Sequence, residues 1–184
     1  QNTWAGLSYL ASYTFGHATN DSPGPFPGAG SNFKSTPTDA RNLGLDEGNA
    51  DYDVRHRFTL AATYELPFFK SNWLLGGWAL NTIVTLQTGN YLSVYAGDVR
   101  ADVTGDPNDG PRTSDEWFDT AAFSQPAAGQ KGTSKRNQVV GPPLRTVDLS
   151  LFKTFRFASR YGIELRFECF NVTNTPQYAF PGQF

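Results

Sequence analysis

Apolar and polar residues alternate with a period of two over five separate stretches of the chain. In the first, Leu7, Tyr9, Ala11, Tyr13 and Phe15 fall on one side, with Ser8, Ser12 and Thr14 on the other. The cleanest stretch sets Phe58, Leu60, Ala62, Tyr64 and Leu66 against Arg57, Thr59, Ala61, Thr63 and Glu65. A third runs from Trp78 to Val94: Trp78, Leu80, Thr82, Val84 and Leu86 oppose Asn81, Thr85 and Gln87, Ile83 is an exception, and Gly89-Asn90 marks a bulge or bend. The fourth sets Val147, Leu149, Leu151 and Phe155 against Asp148, Ser150, Thr154 and Arg156. In the fifth, Ile163, Leu165, Phe167 and Cys169 oppose Glu164, Arg166 and Glu168. Successive side chains of a strand point to opposite faces, so each stretch predicts a β-strand with one apolar face. The expected fold class is all-β, an antiparallel meander of long strands.

The connections alternate long, short, long, short. Residues 16–53 and 97–144 carry no strand or helix period, whereas Pro67–Gly77 and Ala158–Gly162 are brief. A structureless region as long as 97–144 is foreign to compact soluble domains unless it has a function. Outer-membrane barrels, by contrast, join tilted strands by short periplasmic turns and long extracellular loops. On that rule strands one, three and five run outward, and the whole is an incomplete segment of a transmembrane β-barrel. Aromatic rings favour the membrane interface. Tyr64, Phe68, Phe69, Trp73 and Trp78 flank the first short connection, and Phe155, Phe157 and Tyr161 flank the second. Tyr13, Phe15, Phe58, Tyr91 and Tyr95 would form the opposite belt.

Composition narrows the classes. The chain holds 15 Phe, 8 Tyr, 18 Gly and 12 Pro but no Met, a mix suited to strands and turns. A formal net charge of -2 without any basic run gives no footprint for nucleic acid. The single cysteine, Cys169, excludes an internal disulfide, and His17 and His56 are too far apart in sequence to suggest a zinc site. No apolar run is long enough for a helical span, a test that is blind to barrel strands. Gln1-Asn2-Thr3-Trp4 leads straight into the first strand with no secretory leader, so the chain is expected to begin mid-structure.

Several strings in order resemble the distal barrel of TonB-dependent outer-membrane receptors of the Oar-like type. They are Ser12-Tyr13-Thr14-Phe15-Gly16-His17; Asp51-Tyr52-Asp53-Val54-Arg55-His56-Arg57-Phe58; and Tyr64-Glu65-Leu66-Pro67-Phe68. Next come Gly76-Gly77-Trp78-Ala79-Leu80-Asn81, Leu86-Gln87-Thr88-Gly89, and Trp117-Phe118-Asp119-Thr120-Ala121-Ala122-Phe123. Val147-Asp148-Leu149-Ser150-Leu151-Phe152-Lys153 and Arg166-Phe167-Glu168-Cys169-Phe170-Asn171-Val172-Thr173-Asn174 complete the series. The resemblance implies a barrel of about 22 strands, with a plug domain, a signal peptide and a final strand outside these residues. Phe180-Pro181-Gly182-Gln183 before Phe184 reads as a turn, not a closing strand. It further implies outer-membrane lipid as surroundings, the plug and remaining strands of the parent chain as partners, and a TonB complex that energises solute uptake. No cofactor, metal or catalytic residue is expected, and the chain is not expected to be an enzyme.

If the apolar faces meet lipid, the polar faces line the lumen. The lumen-facing candidates are Arg57, Thr59, Thr63, Glu65, Asn81, Thr85, Gln87, Asp148, Ser150, Arg156, Glu164, Arg166 and Glu168. Folding the last hairpin about its turn places Arg156 opposite Glu164 and Thr154 opposite Arg166, so cross-strand pairing competes with solute or plug contact as their role. Asp98, Asp102, Asp106, Asn108 and Asp109 form an acidic patch in which Asp106-Pro107-Asn108-Asp109-Gly110 suggests a calcium loop, but Trp117 stands where the bidentate Glu is needed, which favours a solvated turn. Asp46, Glu47, Asp51 and Asp53 are spaced within a loop and define no catalytic pocket. His56, between two arginines, reads as a loop anchor, and Cys169 as a small hydrophobe. The rival architecture is a soluble or secreted β-sandwich that binds carbohydrate or protein, in which Leu60, Tyr64, Leu149, Leu165 and Phe167 would be hidden against a second sheet.

Overall fold

The computed structural model describes residues 2–21, 37–157 and 161–179. Its main feature is one antiparallel sheet whose strands follow chain order: β1 (Asn2–Trp4), β2 (Leu7–Phe15), β3 (His56–Glu65), β4 (Trp78–Gln87), β5 (Leu144–Phe157) and β6 (Tyr161–Cys169). Each strand neighbours the next, so the sheet is a plain meander with β1 and β6 at its edges. The five expected strands are present, and β1 is a short addition before them. The third ends at Gln87, well before Val94, because Tyr91–Leu92 leaves the sheet and pairs with Val139–Val140.

Chain contacts divide the protein into two compact units. The first consists of Gln1–Thr14, His56–Gln87 and Leu144–Pro176, which carry the sheet. The second consists of Phe15–Arg55, Thr88–Pro143 and Gln177–Phe184. It contains both long connections, where no period in the sequence predicts an element. The described residues of the unit form four two-stranded ribbons, Thr19–Asn20 with Gly48–Asn49, Tyr91–Leu92 with Val139–Val140, Tyr95–Ala96 with Val99–Arg100, and Asp102–Val103 with Phe123–Ser124. Two 3₁₀ turns, Leu43–Asp46 and Thr120–Ala122, complete them.

Burial separates the two units. Among the described residues, the buried apolar side chains Ala50, Leu92, Ala101, Ala122 and Val139 all belong to the loop unit, and Ala79 alone to the sheet. On the sheet, Leu60, Tyr64 and Leu149 are half-buried, while Leu165 and Phe167 remain 42% and 57% exposed. A sandwich would have covered all five. An apolar sheet face left open to this extent marks a surface made for contact with lipid or with further protein.

The registers fix which side chains share a face. Arg57 lies opposite Gln87, Thr59 opposite Thr85, and Thr63 opposite Asn81. Asn81 is in turn opposite Ser150, and Ile83 opposite Asp148. In the last hairpin Ser150 faces Glu168, Phe152 faces Arg166, Thr154 faces Glu164 and Arg156 faces Gly162. The expected Arg156–Glu164 and Thr154–Arg166 pairs are therefore corrected by two positions. Tyr161 and Gly162 belong to β6, leaving only residues 158–160 between Phe157 and Tyr161, which lie outside the described residues. An even shift preserves the face of every side chain, so the division into polar and apolar sides survives it. Past Cys169, Asn171 adopts a left-handed backbone, φ 48°, and the Val172 N–H donates to the Val147 carbonyl. The expected turn before Phe184 lies outside the described residues.

The register predicts a cross-linking pattern. In a Cys169→Ser background, Thr154→Cys with Glu164→Cys should form a disulfide on mild oxidation. Thr154→Cys with Arg166→Cys should not, because the diagonal neighbour stands about 7–8 Å away, beyond disulfide reach. Gel mobility with and without reductant reads the difference, and the opposite result would refute the register.

Candidate functional site

All thirteen candidate residues fall on one face of the sheet. Arg57, Thr59, Thr63 and Glu65 share it with Asn81, Thr85 and Gln87 through the β3–β4 register. The β4 residues share it with Asp148, Ser150 and Arg156, and these with Glu164, Arg166 and Glu168. Their chemistry differs from simple cross-strand pairing. The Arg166 guanidinium donates to Glu164 Oε1 from Nε at 3.0 Å and Nη2 at 2.7 Å, and lies 3.5 Å from Glu168 Oε1. Both carboxylates are two residues away on the same strand. Its plane also lies over the Phe152 ring, 5.3 Å from the centroid. Thr154 Oγ1 reaches Glu164 Oε2 at 3.5 Å, and Asp148 Oδ1 accepts the N–H of Asn171 at 2.8 Å. Ser150 Oγ is shielded and has no hydrogen-bond partner in the described structure.

Sequence pattern did not single out Phe152, which occupies the polar face, nor the apolar patch there. A shallow depression is lined by Ser8, Leu10, Ala61, Thr63, Asn81 and Ile83. Ile83 and Leu10 both break the alternation of their strands, and that break was the available signal. On the opposite face Tyr13 Oη and His56 Nδ1 are 2.8 Å apart, with their rings stacked at 6.2 Å. His56 thus joins β2 to β3. Of the expected outer belt, Tyr13 and Phe58 lie on the sheet, while Tyr91 and Tyr95 belong to loop ribbons.

The loop unit is held by buried charge. Arg136, 7% exposed, donates to the backbone oxygen and Oδ1 of Asn20 at 3.2 and 2.7 Å and to Asp51 Oδ2 at 3.2 Å. Beside it, Asn137 Nδ2 donates to the Asn49 carbonyl and to Asp51 Oδ1, and its own N–H to Ser93 Oγ. Arg100 Nη2 donates to the Leu45 carbonyl at 2.6 Å and Nη1 lies 3.3 Å from Asp46 Oδ1. Asp46 also accepts from the N–H and hydroxyl of Thr38. Asp53 accepts the Ala18 N–H and pairs with Arg55 at 3.5 Å. Asp46 and Asp51 are therefore tie points between the two long connections, and Asp53 closes the first connection on itself. The buried Arg136 guanidinium is tolerated because Asn20 and Asp51 accept its hydrogen bonds. Arg100 offsets its burial with the Leu45 carbonyl and the nearby Asp46 carboxylate, while its Nε stays without a hydrogen-bond partner among the described residues.

The acidic stretch is likewise structural. Asp102 accepts the Thr133 N–H and Asp106 the Asn108 N–H. Asn108 bridges to the Gln138 carbonyl and the Val140 N–H. Trp117 donates from Nε1 to the Val140 carbonyl. Among the described residues, no three His, Cys, Asp or Glu side chains converge on a point that could hold a metal ion. On the surface, Lys131 pairs with Asp39. Its hydrogen bond, followed by that of the Arg41 N–H, holds the Asp39 carboxyl below the ordinary value of 3.8. Cys169 is free and exposed on the apolar face.

Two outcomes follow. Arg136→Ala leaves Asp51 and the Asn20 oxygens without their cation and should destabilise the loop unit by on the order of 3 kcal/mol. Amide exchange should accelerate around residues 48–51 while β3–β5 stay protected. A carboxyl titrating below its unfolded value contributes stability above that value and loses it as pH falls through the folded one. The Asp39 carbon resonance should accordingly titrate below 3.8, and Lys131→Ala should move its midpoint upward.

The profile of the outer membrane beta barrel domain matches residues 1–184. No curated protein and no solved structure matches the chain. One-sided antiparallel strands, an uncovered apolar face and a family match over the full length agree, and the chain belongs to the outer-membrane β-barrel family, resident in the outer membrane of Gram-negative bacteria.

Proposed function

We propose that this chain is barrel wall and outer loop structure of a TonB-dependent receptor that takes up a solute across the outer membrane. The observation that carries the reading is the pairing of a polar sheet face with two long connections that fold into a unit with its own core. Loops that merely link strands need no buried arginine. Loops that recognise a solute need a fixed shape, because ordering a loop on binding costs affinity. In this reading the thirteen polar-face residues line the lumen, where Glu164, Arg166 and Glu168 give the wall alternating charge. The plug and further strands come from the parent chain, the apolar face meets outer-membrane lipid, and a TonB complex supplies energy from the inner-membrane proton gradient. The resemblance strings support that assignment, and the chain acts in transport without catalysing a reaction.

Two measurements test it. Leu149→Arg on the apolar face should cost about 2–4 kcal/mol near the bilayer midplane, read as a lower unfolding midpoint in phospholipid vesicles. Ser150→Arg on the opposite face should cost distinctly less. For transport, solute profiles are compared between cells with and without the parent gene, in strains with and without TonB. The profile should change only where both are present, and one that persists without TonB would remove the energised mechanism.

A further inference from the structure

The connection from β3 to β4 carries five large apolar side chains, Phe68, Phe69, Trp73, Leu74 and Leu75, each more than half exposed. Its shape is set by local hydrogen bonds. Asn72 Oδ1 accepts the N–H groups of Leu74 and Leu75, both at 2.9 Å, the Asn72 N–H donates to the Phe69 carbonyl, and the Gly76 N–H donates to the Asn72 carbonyl. Phe69 takes a left-handed backbone, φ 53°, and Gly76 is pressed so closely against the Phe69 carbonyl that a side chain there would collide with it. This turn does not project from the end of the sheet. It folds over the apolar face of β5, where the Trp73 ring meets Phe155 edge-on at 5.4 Å and Phe157 at 6.2 Å.

Lys153 sits at the centre of that fold-over. It occupies an apolar-face position of β5, opposite Trp78, and is 4% exposed. Its ammonium donates to the carbonyl oxygens of Trp73 at 2.5 Å and Leu74 at 2.9 Å, and lies 4.6 Å from the Phe155 ring centroid and 5.9 Å from that of Trp78. An ammonium on a hydrocarbon-facing wall is costly unless acceptors surround it, and turn carbonyls turned toward lipid are costly unless donors reach them. One contact removes both costs. An elbow meant for water would not need it, since water would satisfy the carbonyls.

We propose that residues 68–75 form a lipid-seated elbow, pinned to β5 by Lys153 and occupied on its outer surface by phospholipid at the headgroup–acyl boundary of the periplasmic leaflet. The patch is continuous with the apolar strand face through Trp73, Phe155 and Phe157, and the elbow rests on the reading of that face as lipid-facing. Lys153 is a positioning residue. Its ammonium is spent on the carbonyls, and the five apolar side chains make the lipid contact.

The test uses the complete parent protein, folded into bilayers of phosphatidylcholine brominated at defined acyl depths. Every tryptophan except the one observed is replaced by phenylalanine. Trp73 should be quenched most by bromines about 5–10 Å into the boundary region and protected from aqueous iodide. Leu165→Trp serves as the wall reference and Trp117 as the loop reference. With Lys153→Met, bromolipid quenching of Trp73 should fall to the level of Trp117, while Leu165→Trp keeps its own. Where Lys153→Met does not insert, the Trp73 measurement with Lys153 in place decides alone. If iodide reaches Trp73 freely while bromolipid quenches Leu165→Trp, the elbow is overturned and the barrel stands. If iodide reaches both, the elbow and the lipid-facing wall fall together. Undiminished quenching of Trp73 in Lys153→Met overturns the pinning role.

Discussion

A side chain in a β-strand has two faces to choose from, and the hydrogen-bonded ladder makes neighbouring strands choose together. From Arg57 opposite Gln87 to Phe157 opposite Tyr161, the registers of β3 to β6 keep one parity. A slip of one residue in β5 would exchange Leu149 with Ser150 and Leu151 with Phe152, turning the strand's apolar row inward. In a bilayer that exchange is punished twice, once by polar groups in hydrocarbon and once by apolar groups at water. The same ladder satisfies the backbone N–H and C=O groups that hydrocarbon cannot solvate. Every assignment made for the sheet depends on this shared parity.

The two units are stabilised by different means. The sheet contributes one buried apolar residue among those described, Ala79. It depends on its ladder and on what surrounds its apolar face. Among the described residues the loop unit has a small core of Ala50, Leu92, Ala101, Ala122 and Val139, too little apolar surface to hold so much irregular chain by itself. Arg136 and Arg100 supplement it, the first bonding Asn20 and Asp51 and the second the Leu45 carbonyl beside Asp46, with the two carboxylates offsetting the charge.

Alternation made the sheet legible, because a one-sided strand writes its face into the sequence every second residue. The alternation alone groups thirteen residues on one face, and a shift of two positions in the last hairpin leaves that grouping intact. The loops were illegible for the opposite reason. Their ribbons are two residues long, too short for any period, and their ties run between residues such as Asn20 and Arg136 whose proximity nothing local encodes. Lys153 lies between these cases. It breaks the apolar row of β5, a visible anomaly, but its acceptors are backbone carbonyls of Trp73 and Leu74, and carbonyls carry no residue signature. Asp51 and Asp53 show the same blindness: their spacing invites chemical speculation, while their partners, Arg136 for one and the Ala18 N–H for the other, account for them structurally.

The bond from Arg136 to Asn20 spans 116 positions of the chain. Closing so large a loop in an unstructured chain is entropically expensive, and the cost falls once the intervening segment has shortened itself into paired strands. β3 and β4 need only a brief turn between them, so they zip early and bring the two long connections toward each other. The guanidinium contact is therefore made at lower entropic cost once those strands have paired. Breaking it would release Asn20 and Asp51 from the second long connection, over a separation in the chain that no local turn could restore.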